Sequence, residues 1–434
     1  MIFGLKKLTK KERLSLLVIS CVFFLCYIIR IVSGNFKLVD SDEYLYTADI
    51  IKNGQYFYRD LNFEDAFLKT RRPFFYPLFL AAFGSFNLIA ILFIQTLLGI
   101  FNAYLLLQLY KKLQGKLVGY FTLFFIFSFS IFVYTQLIMS EWLAMLLLTL
   151  LSLLLTSDFN KKRFFWIQII TALLAFTKPV FFPIIYLNLF YFSVYFFKKK
   201  NFSFSLFIPA ILLFLYLGFN NYRTSYTHFS SIENTNLIDY NLYYYKSSTE
   251  SKPIADQWVR SVYDESQKYQ DFKTRSEFIK SKASEEIRTH FISYSWYHFH
   301  TAVRGIFDPG RFDLMTFFKK EDGRQGFLEI LNSEKSIKNI MKNEYFYIYL
   351  LLIPALIILL AKLFFSAFFV WKGKSNVNFL NFYLLILVLY YILITGPVNS
   401  SRLMMPFQGL FIVFATLGIQ KMKERIKTPT QFYI

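Results

Sequence analysis

Long apolar runs recur along this chain, separated by short clusters of lysine and arginine. A helix needs about 20 mostly apolar residues to cross the hydrocarbon of a bilayer. The runs predict such helices at approximately 14–33, 87–110, 117–134, 137–156, 164–178, 180–197, 203–220, 346–370, 378–396 and 403–420. The stretch 164–197 is too long for one span and divides at Thr177-Lys178-Pro179, because proline stops a helix. The stretch 74–110 is also too long, and 74–86 reads as a lead-in along the outer membrane surface.

The basic clusters are "KKLTKKER" (6–13), "KKLQGK" (111–116), "KKR" (161–163), "KKK" (198–200), "KGK" (372–374) and "KMKERIK" (421–427). Around them only Glu12, Asp158 and Glu424 oppose the positive charge. Short cytoplasmic loops carry the excess of Lys and Arg, so all six clusters and both termini are expected in the cytoplasm. The first run lacks a small-residue cleavage site and reads as a retained helix rather than a secretory signal. The expected fold is an all-α polytopic membrane protein of about ten transmembrane helices with two extracytoplasmic loop regions. The expected division is an N-terminal membrane module, 1–220, containing the first outer loop, 34–86. An outer, mostly helical subdomain, 221–345, follows, and then C-terminal membrane helices and a cytoplasmic tail, 346–434.

Composition agrees with this picture. Hydrophobic residues make up 55% and charged residues 18%, against about 25% charged in soluble domains. The net charge of +20 sits almost wholly in the short basic clusters, so a nucleic-acid partner is not expected. Cys21 and Cys26 both fall in the first apolar run, which excludes a disulfide framework. No glycine-rich phosphate loop or zinc-ligand spacing occurs. The histidines, His228, His290, His298 and His300, show no metal spacing and are expected at the surface.

The outer segments 34–73 and 221–344 are densely charged but nearly neutral, and are expected to fold outside the bilayer. In the second, Ile279, Ala283, Ile287 and Phe291 recur every fourth residue before "YSWYHFH" (294–300). That spacing predicts an amphipathic helix with its aromatic end at the membrane interface. Five charges remain within the predicted spans: Arg30, Glu141, Lys178, Lys362 and Arg402. Each costs roughly 2.5–3.5 kcal/mol to insert and is a functional candidate by default. Lys362 is expected to snorkel towards the cytoplasm. The other four lie at the outer ends of their helices, on the face that also carries "DSDEYLYTADIIKNG" (40–54). From spacing alone, Asp40 or Ser41 is an ordinary helix N-cap, and "RRP" (71–73) serves equally as an interfacial charge run or a phosphate site. An outer-face transfer reaction has no access to cytoplasmic nucleotides. It needs a lipid-phosphate donor, cations for its phosphate and a carboxylate to take a proton.

The stretch "DSDEYLYTADIIKNGQYF", followed by "RRPFFYPLFLAAFG", resembles the first outer loop of the GT-C glycosyltransferases. The nearest likeness is to the family-39-like branch, which includes protein O-mannosyltransferases and aminoarabinose transferases. Asp40, Tyr44, Ala48 and Gly54 stand in that branch's register, and Arg72, Pro73, Tyr76 and Pro77 match its later motif. Weaker similarities lie around Glu141, at Lys178 where arginine is usual, and at Arg402 with Pro406. The resemblance implies a GT-C fold and inverting transfer of a sugar from a polyprenyl-phosphate-linked donor to an acceptor hydroxyl or similar group on a glycan, lipid or protein. It implies that Asp40 is the catalytic base, with Asp42 and Glu43 as secondary candidates. Arg72 would meet the donor phosphate, helped by Arg71, Lys178 and Arg402, while Glu141, Tyr44 and Tyr76 support the site. No cofactor is certain. A divalent metal fits some relatives, but Arg71 stands where their metal-binding Glu lies. The expected location is the plasma (inner) membrane, among its lipids, with the active site on the extracytoplasmic side. A transporter or flippase of lipid-linked saccharides, or a glycan polymerase or ligase, remains an alternative.

Overall fold

The computed structural model describes residues 7–60, 62–83, 87–156, 160–200, 202–318, 346–372 and 379–427. Apart from one isolated β-bridge, Asn62 with Asp271, the described residues form helices and their connections. The elements that matter here are α1 (Lys10–Ser33), α2 (Val39–Lys52), α3 (Phe63–Thr70), α4 (Phe75–Ala82) and α5 (Leu88–Lys112). They continue with α6 (Val118–Ile126), α7 (Phe129–Thr135), α8 (Glu141–Leu155), α9 (Lys161–Thr177), α10 (Ile184–Lys199) and α11 (Ile208–Thr224). The segment after α11 holds α12 (Ile232–Thr235), a π-helix (Asn236–Leu242), α13 (Tyr243–Thr249), α14 (Lys252–Ser266), α15 (Phe272–Thr289), α16 (Phe291–Gly305) and α17 (Arg311–Phe317). The chain closes with α18 (Phe346–Lys372), α19 (Phe379–Thr395) and α20 (Ser401–Lys427).

Each of the ten expected spans coincides with helix, but they are not equal. Among the described residues six helical segments are long and apolar enough to cross a membrane: Lys10–Ser33, Leu88–Lys112, Pro179–Lys199, Phe204–Thr224, Leu350–Trp371 and Ser401–Ile426. The predicted helix 117–134 is instead the pair α6 and α7, bent by 58°, and counts as a seventh if it is one span. At the break, Ser128 Oγ donates to the Phe124 carbonyl at 2.8 Å and so competes with the helical ladder. The helices α8, α9 and α19 have 15, 17 and 17 residues, short for a bilayer of ordinary thickness. The described residues are thus almost entirely helical, with six or seven membrane-length apolar helices.

The last helix, α20, lies at the centre of the bundle, with 83% of its apolar window buried. Gly418 leaves no room for a Cβ against the Phe365 carbonyl, which lets α18 and α20 approach closely. Two expectations about isolated charges need correction. Lys362 does not snorkel to an edge: it is buried on α18, and its ammonium donates to Ser128 Oγ at 2.9 Å and to Gln408 Oε1. Polar groups inside apolar helices supply its partners, which removes the need to reach water. Arg30 is also buried, but its guanidinium donates to the carbonyls of Thr316 and Phe317, at 3.3 and 2.8 Å. It satisfies the last carbonyls of α17 and takes no part in the cluster formed by the other outer-end charges.

The two charged segments between the apolar helices share one core. Phe63 and Ala66 of α3 pack with Ile238, Leu242, Tyr245, Val262, Phe272, Ile279, Ala283 and Tyr294. The first loop therefore contributes a helix to the subdomain built mainly from the second. Ile279 and Ala283 face inward as their spacing predicts, but the helix breaks at His290, and Phe291 opens α16 with 64% of its surface exposed. His228 is not at the surface as expected. It is buried against Tyr226 and Phe272, with Nε2 2.9 Å from Thr70 Oγ1. The part of the loop at 319–345 and the residues 84–86 of the lead-in lie outside the described residues.

Candidate active site

Three proline-bearing breaks bring distant charges to one place. Pro73 disfavours helix at the residue before it, so α3 ends at Thr70 and Arg71-Arg72 lie in the link to α4. Pro179 acts in the same way on Lys178, which is extended (φ −149°, ψ 130°) at the end of α9. Gly396-Pro397 ends α19 and leads into Ser401-Arg402 at the start of α20. Glu141 opens α8, where a carboxylate suits the positive end of the helix dipole.

These side chains form one network. Arg72 lies 3.1 Å from Asp40 Oδ1 and 2.6 Å from Glu43 Oε2. The other Glu43 oxygen is 2.7 Å from Arg71. Arg402 holds Asp40 Oδ2 with one nitrogen and reaches Glu141 Oε1 with another at 2.9 Å. Lys178 donates to the same Glu141 oxygen at 2.9 Å. Four cations and three carboxylates from 362 residues of chain thus meet, and Glu141 at the base is fully buried. Beneath them the Arg72 guanidinium lies over the Tyr44 ring at 4.8 Å. Tyr44 is fixed by a 2.7 Å hydrogen bond between its hydroxyl and Ser140 Oγ, and by Tyr76 edge-on at 4.9 Å. The Tyr76 hydroxyl donates to Gln95 at 2.9 Å.

Asp40 does not cap its helix. Leu38 is the N-cap residue, and Ser41 Oγ accepts the Leu38 N–H at 2.8 Å. The Asp40 carboxylate is thereby left for the cations. Burial works to raise its pKa, but the charges of Arg402 and Arg72 outweigh that and hold it well below the usual carboxylate range. Asp42 is not part of the network: it points away, exposed, and pairs with Lys37 at 2.8 Å. Among the described residues no group of three His, Cys, Asp or Glu side chains is arranged to hold a metal ion. Asp40, Glu43 and Glu141 are each engaged by cations, so these carboxylates do not form a divalent-metal ligand set.

Above the network lies a cavity of about 920 Å³, whose walls include Asp40, Arg71, Arg72, Lys178, Arg304, Asp308 and Arg402. Its lining carries five cations and two carboxylates, and Glu43 and Glu141 pair with those cations from behind, so one positive charge is left over and the cavity favours an anion. Arg304 on α16 and Asp308 just after it were marked by no sequence spacing. Asp308 accepts from both the backbone N–H and the hydroxyl of Ser401, at 2.9 and 3.0 Å, and so anchors the start of α20 beside Arg402. A second, largely apolar cavity of about 890 Å³ lies along α18, α19 and α20 and shares Phe307 with the first.

The chain matches no family model, and no curated protein matches it.

Proposed function

We propose that this protein is an integral membrane glycosyltransferase of the GT-C type, with about ten membrane-crossing helices in the plasma membrane and both termini in the cytoplasm. In this reading it moves a sugar from a polyprenyl-phosphate donor to an acceptor hydroxyl at the extracytoplasmic face. What carries the proposal is Asp40, held between Arg72 and Arg402 in the wall of a cavity with an excess of cations. The adjoining apolar cavity gives a polyprenyl tail a place beside the phosphate site.

The proposed step is a single inverting displacement. The acceptor oxygen attacks the anomeric carbon, its proton passes to Asp40, and the bond from the anomeric carbon to the phosphate oxygen breaks. The electron pair leaves on polyprenyl phosphate, whose charge Arg72 and Arg402 neutralise. A carboxylate locked between two guanidinium groups is a weak base. The arriving phosphate competes for the same two arginines, so donor binding loosens their hold on Asp40 and raises its basicity where the proton is taken. Glu141 and Lys178 fix Arg402 from below, and Glu43 fixes Arg72.

The direct test incubates membranes containing the full chain with a radiolabelled polyprenyl-phosphate hexose or with the corresponding nucleotide sugar. Chain-dependent transfer from the lipid-linked donor alone is expected. Transfer from the nucleotide sugar alone, or none from either, refutes the proposal.

A further inference from the structure

Part of the site cavity's lining has a different chemistry from the cations. It is built on the π-helix Asn236–Leu242, a rare form that recurs at functional sites. Its wider turn, with Tyr240 and Asn241 in sequence, contributes both of those side chains to the cavity lining, and Tyr244 adds a second phenol from the start of α13. Tyr297 of α16 and Asn399 complete the wall. The three tyrosines are half-buried or exposed rather than packed away. Tyr240 stands close enough to the base that burial, and then the Asp40 charge, raise its pKa.

Two amides in this wall have unmet capacity. Asn399 donates to the Ala302 carbonyl at 2.6 Å, yet its Oδ1 is buried and has no hydrogen-bond partner. Asn241 Oδ1 is likewise buried without a partner. A buried acceptor left unpaired is costly, and most buried polar atoms in proteins are paired. Asn399 is moreover held rigidly, because Gly305 packs against its backbone with no space for a Cβ. Rings offering flat apolar faces, beside amide side chains with hydrogen-bonding capacity to spare, suit a polyhydroxylated ring compound. A peptide would call for extended backbone pairing, and a lipid for a continuous apolar face. The phenols and amides of this wall suit a sugar ring better than either.

We infer that the wall carrying Tyr240, Asn241, Tyr244, Tyr297 and Asn399 is a binding subsite for a neutral carbohydrate, and that the acceptor is therefore a glycan. The assignment of this ligand as acceptor rests on the glycosyltransferase reading, whereas the binding itself does not. The sugar stacks on the phenol rings, one hydroxyl is directed at Asp40, and a turn of the two amide side chains brings their covered oxygens to its other hydroxyls.

The full chain in nanodiscs is mixed in turn with a panel of neutral trisaccharides of glucose, galactose and N-acetylglucosamine, and with a serine- and threonine-containing hexapeptide. Saturation transfer to ligand protons is measured by NMR. At least one trisaccharide is expected to bind, with affinity about tenfold weaker for Tyr240→Ala and near wild type for Tyr240→Phe, which keeps the ring. Asn241→Ala should weaken the same sugar. Binding of the peptide alone, no sugar bound at all, or equal sugar binding by wild type and Tyr240→Ala overturns the inference. Donor use is separated by binding of polyprenyl phosphate to the same nanodiscs. Its independence from Arg72 refutes the glycosyltransferase reading, while the trisaccharide results still decide the subsite.

Discussion

Replacing Glu141 by Gln isolates the energetics of the network. Glu141 is fully buried, and one of its oxygens lies 2.9 Å from both Lys178 Nζ and Arg402 Nε. At an effective dielectric near 20, each contact represents about 6 kcal/mol of gross attraction, most of it offset by desolvation of the three groups. Gln has the same shape but no charge. It leaves Lys178 buried with no carboxylate within ion-pair distance among the described residues, and Arg402 with Asp40 alone. Breaking a buried pair in this way costs about 3–5 kcal/mol. Thermal unfolding of the purified chain in detergent should show a midpoint lowered by several degrees for Glu141→Gln. The double variant Glu141→Gln with Lys178→Met should regain more than half of the loss, because it removes the stranded cation as well. Wild-type stability for Glu141→Gln, or additive losses in the double variant, would refute the coupling.

Two further outcomes follow from the same geometry. Arg72→Ala removes the guanidinium shared by Asp40 and Glu43 and should weaken polyprenyl-phosphate binding by roughly 10- to 100-fold, as expected for a charge-assisted contact; unchanged affinity in a titration with the lipid counts against the phosphate role. Asp313 is buried on α17 and accepts a hydrogen bond from Tyr134, and burial, then the Asp308 charge, raise its pKa to about 7. Between about pH 4 and 7 the folded state therefore keeps a proton that the unfolded chain releases, so this group's contribution to stability falls as pH rises through that window. Asp313→Asn removes the titration, and the gap in unfolding midpoint should shift in favour of the variant from pH 5 to pH 8; an equal gap at both pH values contradicts it.

The charges inside apolar runs were the most legible part of the site. Arg402, Lys178 and Glu141 had to find partners, since unpaired ions in such helices are costly, and they found one another and Asp40. Asp40 and Glu43 are three residues apart and share a helix face, whereas Asp42 between them does not. Helical spacing alone therefore separates the two that meet Arg72 from the one that faces out to Lys37. Arg30 and Lys362 were harder to place because, among the described residues, neither is paired with a carboxylate: their partners are carbonyls of α17 and single polar side chains. The helix lengths differed for local reasons, with Ser128 breaking one predicted span and prolines or short loops trimming others. The π-helix, Arg304 and Asp308 lie in the segment between α11 and α18, where no periodic pattern marks them and only the folded packing brings them to the cavity.

The central claim is that Asp40 takes the proton from the acceptor. Single-turnover transfer from a polyprenyl-phosphate hexose, measured for wild type and Asp40→Asn at matched protein level and donor saturation, tests it most directly. A fall of about 10²- to 10⁴-fold in rate is predicted, with donor binding retained because Arg72 and Arg402 remain. Transfer by Asp40→Asn at the wild-type rate would contradict the account.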